Sequence, residues 1–495
     1  MWTFRTRIRS SREPVPPSSR ACSRCSSHSR ADRARREHNE CPVETTITAL
    51  AEWIWDLPLV LLLTGGGLYF LLTSRLLPFR RLGRSLRILG GRYDNASDPG
   101  QISHFQALAV SLAGTIGIGS VSGVAVGIAV GGPGTIFWMW VSAIVGMATN
   151  YFTCTLSVMY RGRDSLGEVQ GGPMYIIMEG LGRKWWPLAA LFCMTAMFGC
   201  LPIFNANQLA QAIRTLGLEP AGVGSAGSTD LVIGVCLATL TGIVIIGGLT
   251  RISHVATALV PLMVLLYFLA VVGILVTHAS AVPYYLRLIF TDAFAARFYK
   301  GEALFGGALG GLIVLGVRRA SFSNEAGIGT AALAYSAAKT SEPVHEGLVA
   351  MMSPAVDTLV VCTLTALAIL VTDAWKVAGL NGVLMTARAF ESAYPQLGGP
   401  LLLVCVVAFG VAALFSYSYY GMKCFAFLFG ARIRGLYNVF YVASIVVGAI
   451  STTAAIVGFV DIMFALMAVP TMVSGVLLSR RVLAETQRYF SKGTS

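Results

Sequence analysis

The stretch that decides the fold is Gly114-Thr115-Ile116-Gly117-Ile118-Gly119-Ser120, in the middle of an apolar segment that runs from 104 to 131. The segment has the length of a transmembrane helix, but the glycines raise the cost of helix at its centre. Glycines at this depth either break the helix or let a neighbouring helix approach closely. Because lipid cannot satisfy backbone polar groups, a break here predicts a cavity of the kind that holds substrate and ion in secondary transporters.

The composition is that of an integral membrane protein. Of the 495 residues, 55% are hydrophobic and 12% are charged, and the mean hydropathy is +0.68. We therefore predict an all-α protein with about eleven transmembrane helices, since a helix crosses roughly 30 Å of hydrocarbon with about 20 residues. The apolar stretches lie at 54–75, 104–131, 133–160, 186–212, 229–249, 254–277, 303–335, 345–371, 398–428, 436–457 and 460–479.

A second glycine-rich run, Phe305-Gly306-Gly307-Ala308-Leu309-Gly310-Gly311, lies near the start of the seventh stretch and can also break the helix or pack tightly. Counted from residue 104, the two runs open the first and sixth of ten helices. Corresponding interrupted helices in two halves mark the binding site of inverted-repeat transporters. We predict an extra helix at 54–76, a first five-helix repeat at 100–277 and a second, inverted repeat at 302–480.

The positions of Lys and Arg predict the orientation of these helices. If the first helix starts outside, most basic residues, including Arg318 and Arg319, fall on the inner side. Because cytoplasmic loops carry the excess of positive charge, we predict a multi-pass protein of the cell membrane with an outside N-terminus and a cytoplasmic tail at 481–495. This distribution accounts for the net charge of +13 without nucleic acid as a partner.

Residues 1–45 do not fit this orientation, because their ten arginines would resist export. The segment is rich in Ser and Pro and has no apolar core, so we predict that it is disordered. Two interpretations remain open. Translation begins near Val43 and the extension is a mis-assigned start, or the extension is a basic tail that contacts anionic lipid.

Five motifs carry a resemblance to a known family. They are Gly114-Thr115-Ile116-Gly117-Ile118-Gly119, Gly131-Gly132-Pro133-Gly134 with Phe137-Trp138-Met139-Trp140, Gly171-Gly172-Pro173-Met174-Tyr175, Phe322-Ser323-Asn324-Glu325-Ala326-Gly327 and Asp357-Thr358-Leu359-Val360-Val361-Cys362-Thr363. In their order and spacing, over roughly residues 54–480, the chain resembles the alanine or glycine:cation symporter family. The resemblance implies a LeuT-like fold of ten core helices in 5+5 inverted repeats with one extra N-terminal helix. It also implies import of a small neutral amino acid with sodium by alternating access.

The resemblance also implies where the ligands bind. The substrate backbone is expected at Thr115, Gly117 and Ser120 in the first core helix and at Gly306 and Gly307 in the sixth. An unwound helix supplies N–H groups for the carboxylate and carbonyls for the ammonium group of an amino acid. Sodium is expected at backbone oxygens near Gly114 and Thr115 and at the facing segment Ala412 and Ala413.

The chain departs from the family pattern at several of these positions. Ser120 stands where family members usually carry Asn, Asn205 where they carry Gln, and Tyr417 where they carry Trp. Ala412 and Ala413 replace a pair of hydroxyl residues, so a sodium site that uses this pair loses its side-chain ligands, and Ala413 no longer offers a hydroxyl to the substrate. Altered or lost ion coupling, as in a proton-coupled carrier, a uniporter or a sensor, is therefore an alternative, and so is a shifted register that brings in Ser416 or Ser418.

Acidic and amide residues inside the apolar stretches are candidate gate residues. Asp357 is an intramembrane acid and is either functional or hydrogen-bonded near a helix end. Asn324 and Glu325, close to Arg318 and Arg319 in sequence, form either a gate network or a static ion pair. We interpret Asp461 as a cap at the membrane interface.

No enzyme motif is found in the sequence: it contains neither a His-Glu-x-x-His pair nor a Gly-x-Ser-x-Gly turn. We therefore expect a transporter rather than an enzyme, with sodium as the suspected coupling ion and no organic cofactor. The expected partners are a small neutral amino acid and the lipid bilayer, and the sequence indicates no oligomeric state.

Overall fold

The protein is a bundle of α-helices, the arrangement in which an apolar chain satisfies its own backbone polar groups. A computed structural model of the chain describes residues 50, 53–55, 57–95, 97–222, 227–295, 307–451 and 453–492. The predicted extension at 1–45 lies outside the described residues, as does Gly306.

The described residues of the first part of the chain form twelve α-helices. They are α1 (Leu57–Thr73), α2 (Leu77–Arg80), α3 (Leu82–Leu89), α4 (His104–Thr115), α5 (Val124–Gly131), α6 (Gly134–Met159), α7 (Pro173–Tyr175), α8 (Trp186–Gly199), α9 (Ile203–Ala212), α10 (Ser228–Ile245), α11 (Gly248–Thr277) and α12 (Val282–Asp292). Between them are π-helical segments at Gly119–Gly123, Ile176–Leu181 and Ile213–Leu218 and short 3-10 turns at Arg183–Trp185 and Glu219–Ala221. An antiparallel hairpin joins β1 (Gly162–Arg163) to β2 (Val169–Gln170).

From Gly307 to Lys492, the described residues form nine α-helices. They are α13 (Gly307–Asn324), α14 (Thr330–Tyr335), α15 (Pro343–Ala350), α16 (Met352–Pro354), α17 (Thr363–Val371), α18 (Gly382–Ala393), α19 (Gly398–Phe429), α20 (Arg434–Ile450) and α21 (Thr453–Lys492). A π-helical segment lies at Ala355–Cys362, and 3-10 turns lie at Ala374–Lys376 and Ala431–Ile433.

Many of these helices are long enough to cross a membrane. Within the described residues, 8 helical segments have the required length and composition, and the bent pair His104–Thr115 and Gly119–Gly131 makes up to 9. The apolar helix at Pro58–Thr73 is shorter. The predicted all-α, multi-pass membrane class is confirmed, while the count of eleven and the division into two inverted halves remain predictions.

The predicted break at Gly114–Ser120 is confirmed. Ser103 begins α4 with a capping box, in which its side chain accepts from the Gln106 amide and the Gln106 side chain accepts from the Ser103 amide. The helix ends at Thr115, and the next helical segment starts at Gly119 with a bend of 50°. Between them, Ile116 has a non-helical backbone, with φ −74 and ψ 77.

The run Phe305–Gly311 was expected either to break the helix or to pack tightly, and its described residues show no break. The structure describes this run from Gly307 onward, and these residues form the first turn of α13. The chain instead leaves the helix after Asn324 and re-enters it at Thr330. Positive φ angles at Glu325 (54°), Gly327 (85°) and Gly329 (109°) stop the helix there.

The last helix is longer than the sequence predicted. We expected a tail from 481, but α21 continues to Lys492. Ion pairs hold its last turns, since Arg488 contacts both Glu485 and Glu342. The helix in the predicted span 436–457 is instead shorter than predicted and ends at Ile450.

Candidate functional site

A narrow cavity lies beside the break between α4 and the Gly119–Gly123 segment. Its volume is about 20 Å³, room for about one water molecule. Helices α8, α9, α13, α19 and α21 also contribute to its wall. The lining residues are Gly114, Thr115, Gly117, Gly119, Gly199, Leu201, Phe204, Asn205, Phe322, Tyr417, Val460 and Phe464.

Four of the predicted substrate residues meet at this cavity: Thr115, Gly117, Asn205 and Tyr417. Ala413 lies just behind them, because its Cβ is 3.7 Å from the position that a Cβ on Gly117 would occupy. The sequence analysis thus grouped segments of α4, α9 and α19 that the structure places next to one another.

The other predicted substrate residues lie elsewhere. Ser120 is fully buried and bonds to Asp357, outside the cavity lining. Gly307 begins α13, a full helix away from the break at 325–329. It does not lie at that break, so an opened helix end does not place it at the substrate. Gly306 lies outside the described residues.

Three aromatic rings that the sequence analysis missed close one side of the cavity. Phe322 packs edge-on against Phe204, with ring centroids 5.1 Å apart, and lies 5.8 Å from the Phe464 ring. The three residues come from α13, α9 and α21, which are far apart in sequence. Phe322 belongs to the motif Phe322–Gly327, and its position next to the break was the only sequence signal available.

Asp357 lies at the centre of a cluster of hydroxyl groups. It is fully buried, and its carboxylate accepts hydrogen bonds from Ser120 (2.5 Å), Ser323 (2.7 Å) and Thr358 (2.9 Å). The Ser120 and Ser323 hydroxyls are 3.2 Å apart. Asn324 donates to Thr358 at 2.9 Å. No basic side chain forms an ion pair with Asp357 within the part of the chain that the structure describes.

Glu325 forms a second buried acidic group at the break that follows α13. Its carboxylate accepts hydrogen bonds from Thr330 and from Tyr417, which lines the cavity. The Asn324 side chain stabilises the same turn, because its Oδ1 accepts the Ala326 amide at 3.0 Å. Glu325 therefore lies behind the cavity-lining residue Tyr417 and is not part of a surface ion pair.

The predicted network of Asn324 and Glu325 with the basic pair does not form. Arg318 instead forms a salt bridge with Asp461 of α21. The interpretation of Asp461 as an interfacial cap is also wrong, since its side chain is fully buried and its carbonyl accepts the Trp55 indole N–H at 2.8 Å. The ion pair lies one helical turn before Phe322, so it covers the aromatic side of the cavity.

The segment of α19 that faces the first break has no hydroxyl at Ala412 or Ala413. One turn later, the Ser416 hydroxyl is buried and has no hydrogen-bond partner among the residues that the structure describes. Its Cβ lies 3.8 Å from the position that a Cβ on Gly114 would occupy. An unpartnered buried oxygen next to an opened helix end is a suitable cation ligand.

A wide vestibule of about 530 Å³ lies at the end of the bundle where α4 begins. Lys423, Tyr419 and Arg434 line it together with Asp164 and Glu168 of the β-hairpin region. The buried Lys423 ammonium donates to the Leu333 carbonyl (3.1 Å) and to Ser336 (2.8 Å). Helix α19 thus reaches the narrow cavity at Tyr417 and the vestibule from Tyr419 onward.

The fold is similar to that of a solved transporter. The crystal structure of MhsT in complex with L-phenylalanine aligns with a TM-score of 0.55 at 15% identity, covering 79% of this chain and 93% of MhsT. At this identity the likeness concerns the fold alone. The predicted LeuT-like fold is confirmed by it.

Curated relatives match over nearly the whole chain. An uncharacterized transporter of Haemophilus influenzae is 36% identical over 91% of this chain and 97% of its own length. The sodium/alanine symporter AgcS of Methanococcus maripaludis is 34% identical over 90% and 96%, and the probable sodium/glutamine symporter GlnT of Bacillus subtilis is 34% identical over 88% and 88%. These relatives support amino-acid:cation symport. A model of the family matches residues 40–495, and the chain therefore belongs to the sodium:alanine symporter family.

Proposed function

We propose that this protein is a secondary active symporter that imports a small neutral amino acid of the alanine or glycine class together with sodium. Transport proceeds by alternating access, with the N-terminus outside and the C-terminus in the cytoplasm. The observation that carries the proposal is the cavity at the first helix break, where Thr115 and Gly117 meet Asn205 and Tyr417.

The break suits the two charged groups of an amino acid. The amides at the start of a helix lack intrahelical acceptors, and the carbonyls at the end of a helix lack donors. The segment beginning at Gly119 therefore offers N–H groups to the substrate carboxylate, and the end of α4 offers carbonyls to the ammonium group. Glu325, held at the wall by Tyr417, adds a negative charge on the side of the ammonium group.

The wall favours a small side chain. Glycines at 114, 117, 119 and 199 surround the cavity, and aromatic rings close one side of it. The cavity of about 20 Å³ must widen to admit even alanine, so substrate binding and the opening of the helix break are coupled. This size is the reason for proposing alanine or glycine rather than glutamine.

The Asp357 cluster supports a coupling cation. A buried carboxylate without a countercharge is strongly unfavourable, and hydroxyl donors offset only part of this cost. Sodium is a hard cation that takes oxygen ligands, and the cluster offers oxygens of Asp357, Ser120, Ser323 and Thr358. The backbone near Gly114 and Thr115, facing Ala412 and Ala413, remains the second proposed place for sodium, with Ser416 as its hydroxyl ligand.

Uptake of labelled alanine and glycine into proteoliposomes tests the proposal. We expect accumulation when an inward sodium gradient is imposed. The Asp357→Asn variant should lose accumulation, while the matched variant Asp373→Asn, at an exposed ion pair with Lys376, should keep it. A monodisperse size-exclusion profile for both variants shows that they are folded.

The other outcomes separate the parts of the proposal. Uptake that follows an inward proton gradient and ignores sodium would establish the alternative of altered coupling, for which the missing hydroxyls at Ala412 and Ala413 argue. Failure of both amino acids to accumulate under either gradient would show that the substrate is outside this class.

A further inference from the structure

A pocket lined by arginines lies between α3 and the end of α21, away from the transport site. Its volume is about 330 Å³. The residues that line it are Arg80, Arg81, Gly83, Arg84, Arg87, Tyr489 and Phe490. Four guanidinium groups and two aromatic rings therefore surround one space, and the lining contains no carboxylate.

The four arginines give this pocket a positive charge. Among the described residues, no ion pair involves any of the four arginines. Arg84 donates to the Tyr489 hydroxyl at 3.0 and 2.9 Å, and Arg81 stacks on Phe490 at 4.1 Å. Arg84 and Arg87 are spaced i, i+3 on one helix, where like charges destabilise each other. An anion in the pocket would remove this repulsion.

The two short helices α2 and α3 expose apolar side chains next to the arginines. Phe79, Leu82 and Leu86 are 55%, 40% and 55% exposed. Leu72, near the end of the membrane-length helix α1, is also exposed. A short helix with exposed leucines and arginines lies at the boundary between hydrocarbon and headgroups. A pocket beside such helices would lie at the depth of the phosphate groups of lipids.

We propose that this pocket binds the phosphate headgroup of an anionic phospholipid. Arginine is the side chain best suited to phosphate, because its planar fork donates two parallel hydrogen bonds. Basic pockets between membrane helices are typical sites for anionic headgroups. The acyl chains would lie along the exposed apolar face of Phe79, Leu82 and Leu86.

Occupation of the pocket would stabilise a junction of three helices. Ser85 of α3 donates to the Leu348 carbonyl of α15 at 2.6 Å. Tyr489 of α21, which accepts from Arg84, also bonds His345 of α15 at 3.1 Å. A phosphate held by the arginines would fix α3 and the end of α21 together against α15.

Thermal unfolding of the full-length protein in a neutral detergent tests the proposal. We expect phosphatidylglycerol to raise the melting temperature by several degrees more than the same amount of phosphatidylcholine. The double variant Arg80→Gln/Arg87→Gln should lose most of this difference. The control Arg432→Gln/Arg480→Gln removes two exposed basic residues outside the pocket and should retain it.

The sources of phosphate can be told apart in the same assay. Inorganic phosphate at equal concentration should give little stabilisation, because it lacks the acyl chains that add affinity. Equal melting temperatures in the two lipids, an equal response to inorganic phosphate, or a full phosphatidylglycerol response in Arg80→Gln/Arg87→Gln would each overturn the proposal. Native mass spectrometry of the wild type should show one retained phosphatidylglycerol that the double variant lacks.

Discussion

The two helix breaks beside the cavity interrupt their helices by different physical means. In the first, at 116–118, no residue has a positive φ, and Ile116 leaves the helix through its ψ of 77°. In the second, at 325–329, Glu325, Gly327 and Gly329 all have positive φ. The first break, Ile116-Gly117-Ile118, has only negative φ angles that any residue can adopt, whereas the second requires conformations that most side chains resist.

Side chains stabilise the second break more extensively than the first. Asn324 caps the Ala326 amide, and Glu325 accepts from Thr330 within the same turn. At the first break, the Gly117 amide donates to the Thr115 carbonyl, and the Ser120 hydroxyl donates to the same carbonyl at 3.3 Å. We therefore predict that the first break is the adaptable one, while the second is a fixed turn that holds Glu325 in place.

The largest expected effect comes from Gly329→Ala. A Cβ at this residue would lie 2.5 Å from Thr471 Oγ1 and 2.8 Å from Phe192 Cε2, at a φ of 109°. Overpacking and a left-handed backbone together should destabilise the protein by about 3 kcal/mol or more, visible as a large drop in melting temperature. Gly65→Ala, where a Cβ meets nothing within 4 Å, is the control. Similar melting temperatures for the two variants would mean that the second break is not fixed by its backbone.

A smaller effect is expected for Asn324→Ala. This variant removes the acceptor for the Ala326 amide and the donor to Thr358, both in buried positions. The loss should be about 2 kcal/mol, since a buried donor is left without a partner. Asn95→Ala, in an exposed loop, should melt like the wild type. An unchanged melting temperature for Asn324→Ala would show that water or neighbouring groups replace the cap.

The sequence predicted the first break and missed the second for a physical reason. Glycines in the middle of an apolar stretch give a local signal at 114–120, which the structure confirms. The glycines from Gly307 onward give the same local signal and are helical. Glu325, by contrast, takes its positive φ with support from Tyr417, which is 92 residues away in sequence. Contacts at that separation cannot be read from composition.

The candidate site was predicted to a similar extent. Thr115, Gly117, Asn205 and Tyr417 converge as the family resemblance implied. The three aromatic rings beside the cavity were missed because phenylalanines in apolar helices have the same sequence pattern whether they face lipid, the protein core or a cavity. The ion pair of Asp461 was missed because its partner Arg318 lies 143 residues earlier in the chain.

Gly117→Ala should have the smallest effect on stability, and it tests most directly whether the two breaks differ in how easily they adapt. A Cβ here would meet the Gly114 carbonyl at 3.6 Å, Ala413 at 3.7 Å and Asn205 Oδ1 at 4.0 Å, all ordinary contacts. The melting temperature should change little, by the equivalent of about 0.5 kcal/mol. The added methyl group takes space at the cavity, so uptake of alanine should fall about tenfold more than uptake of glycine, the usual effect of one methyl group in a binding pocket. Gly123→Ala, where a Cβ meets nothing within 4 Å, should leave the alanine-to-glycine ratio unchanged. If Gly117→Ala also leaves that ratio unchanged, the first break does not contact the substrate side chain. The part of the site that adapts to the substrate would then be the three aromatic rings beside the cavity.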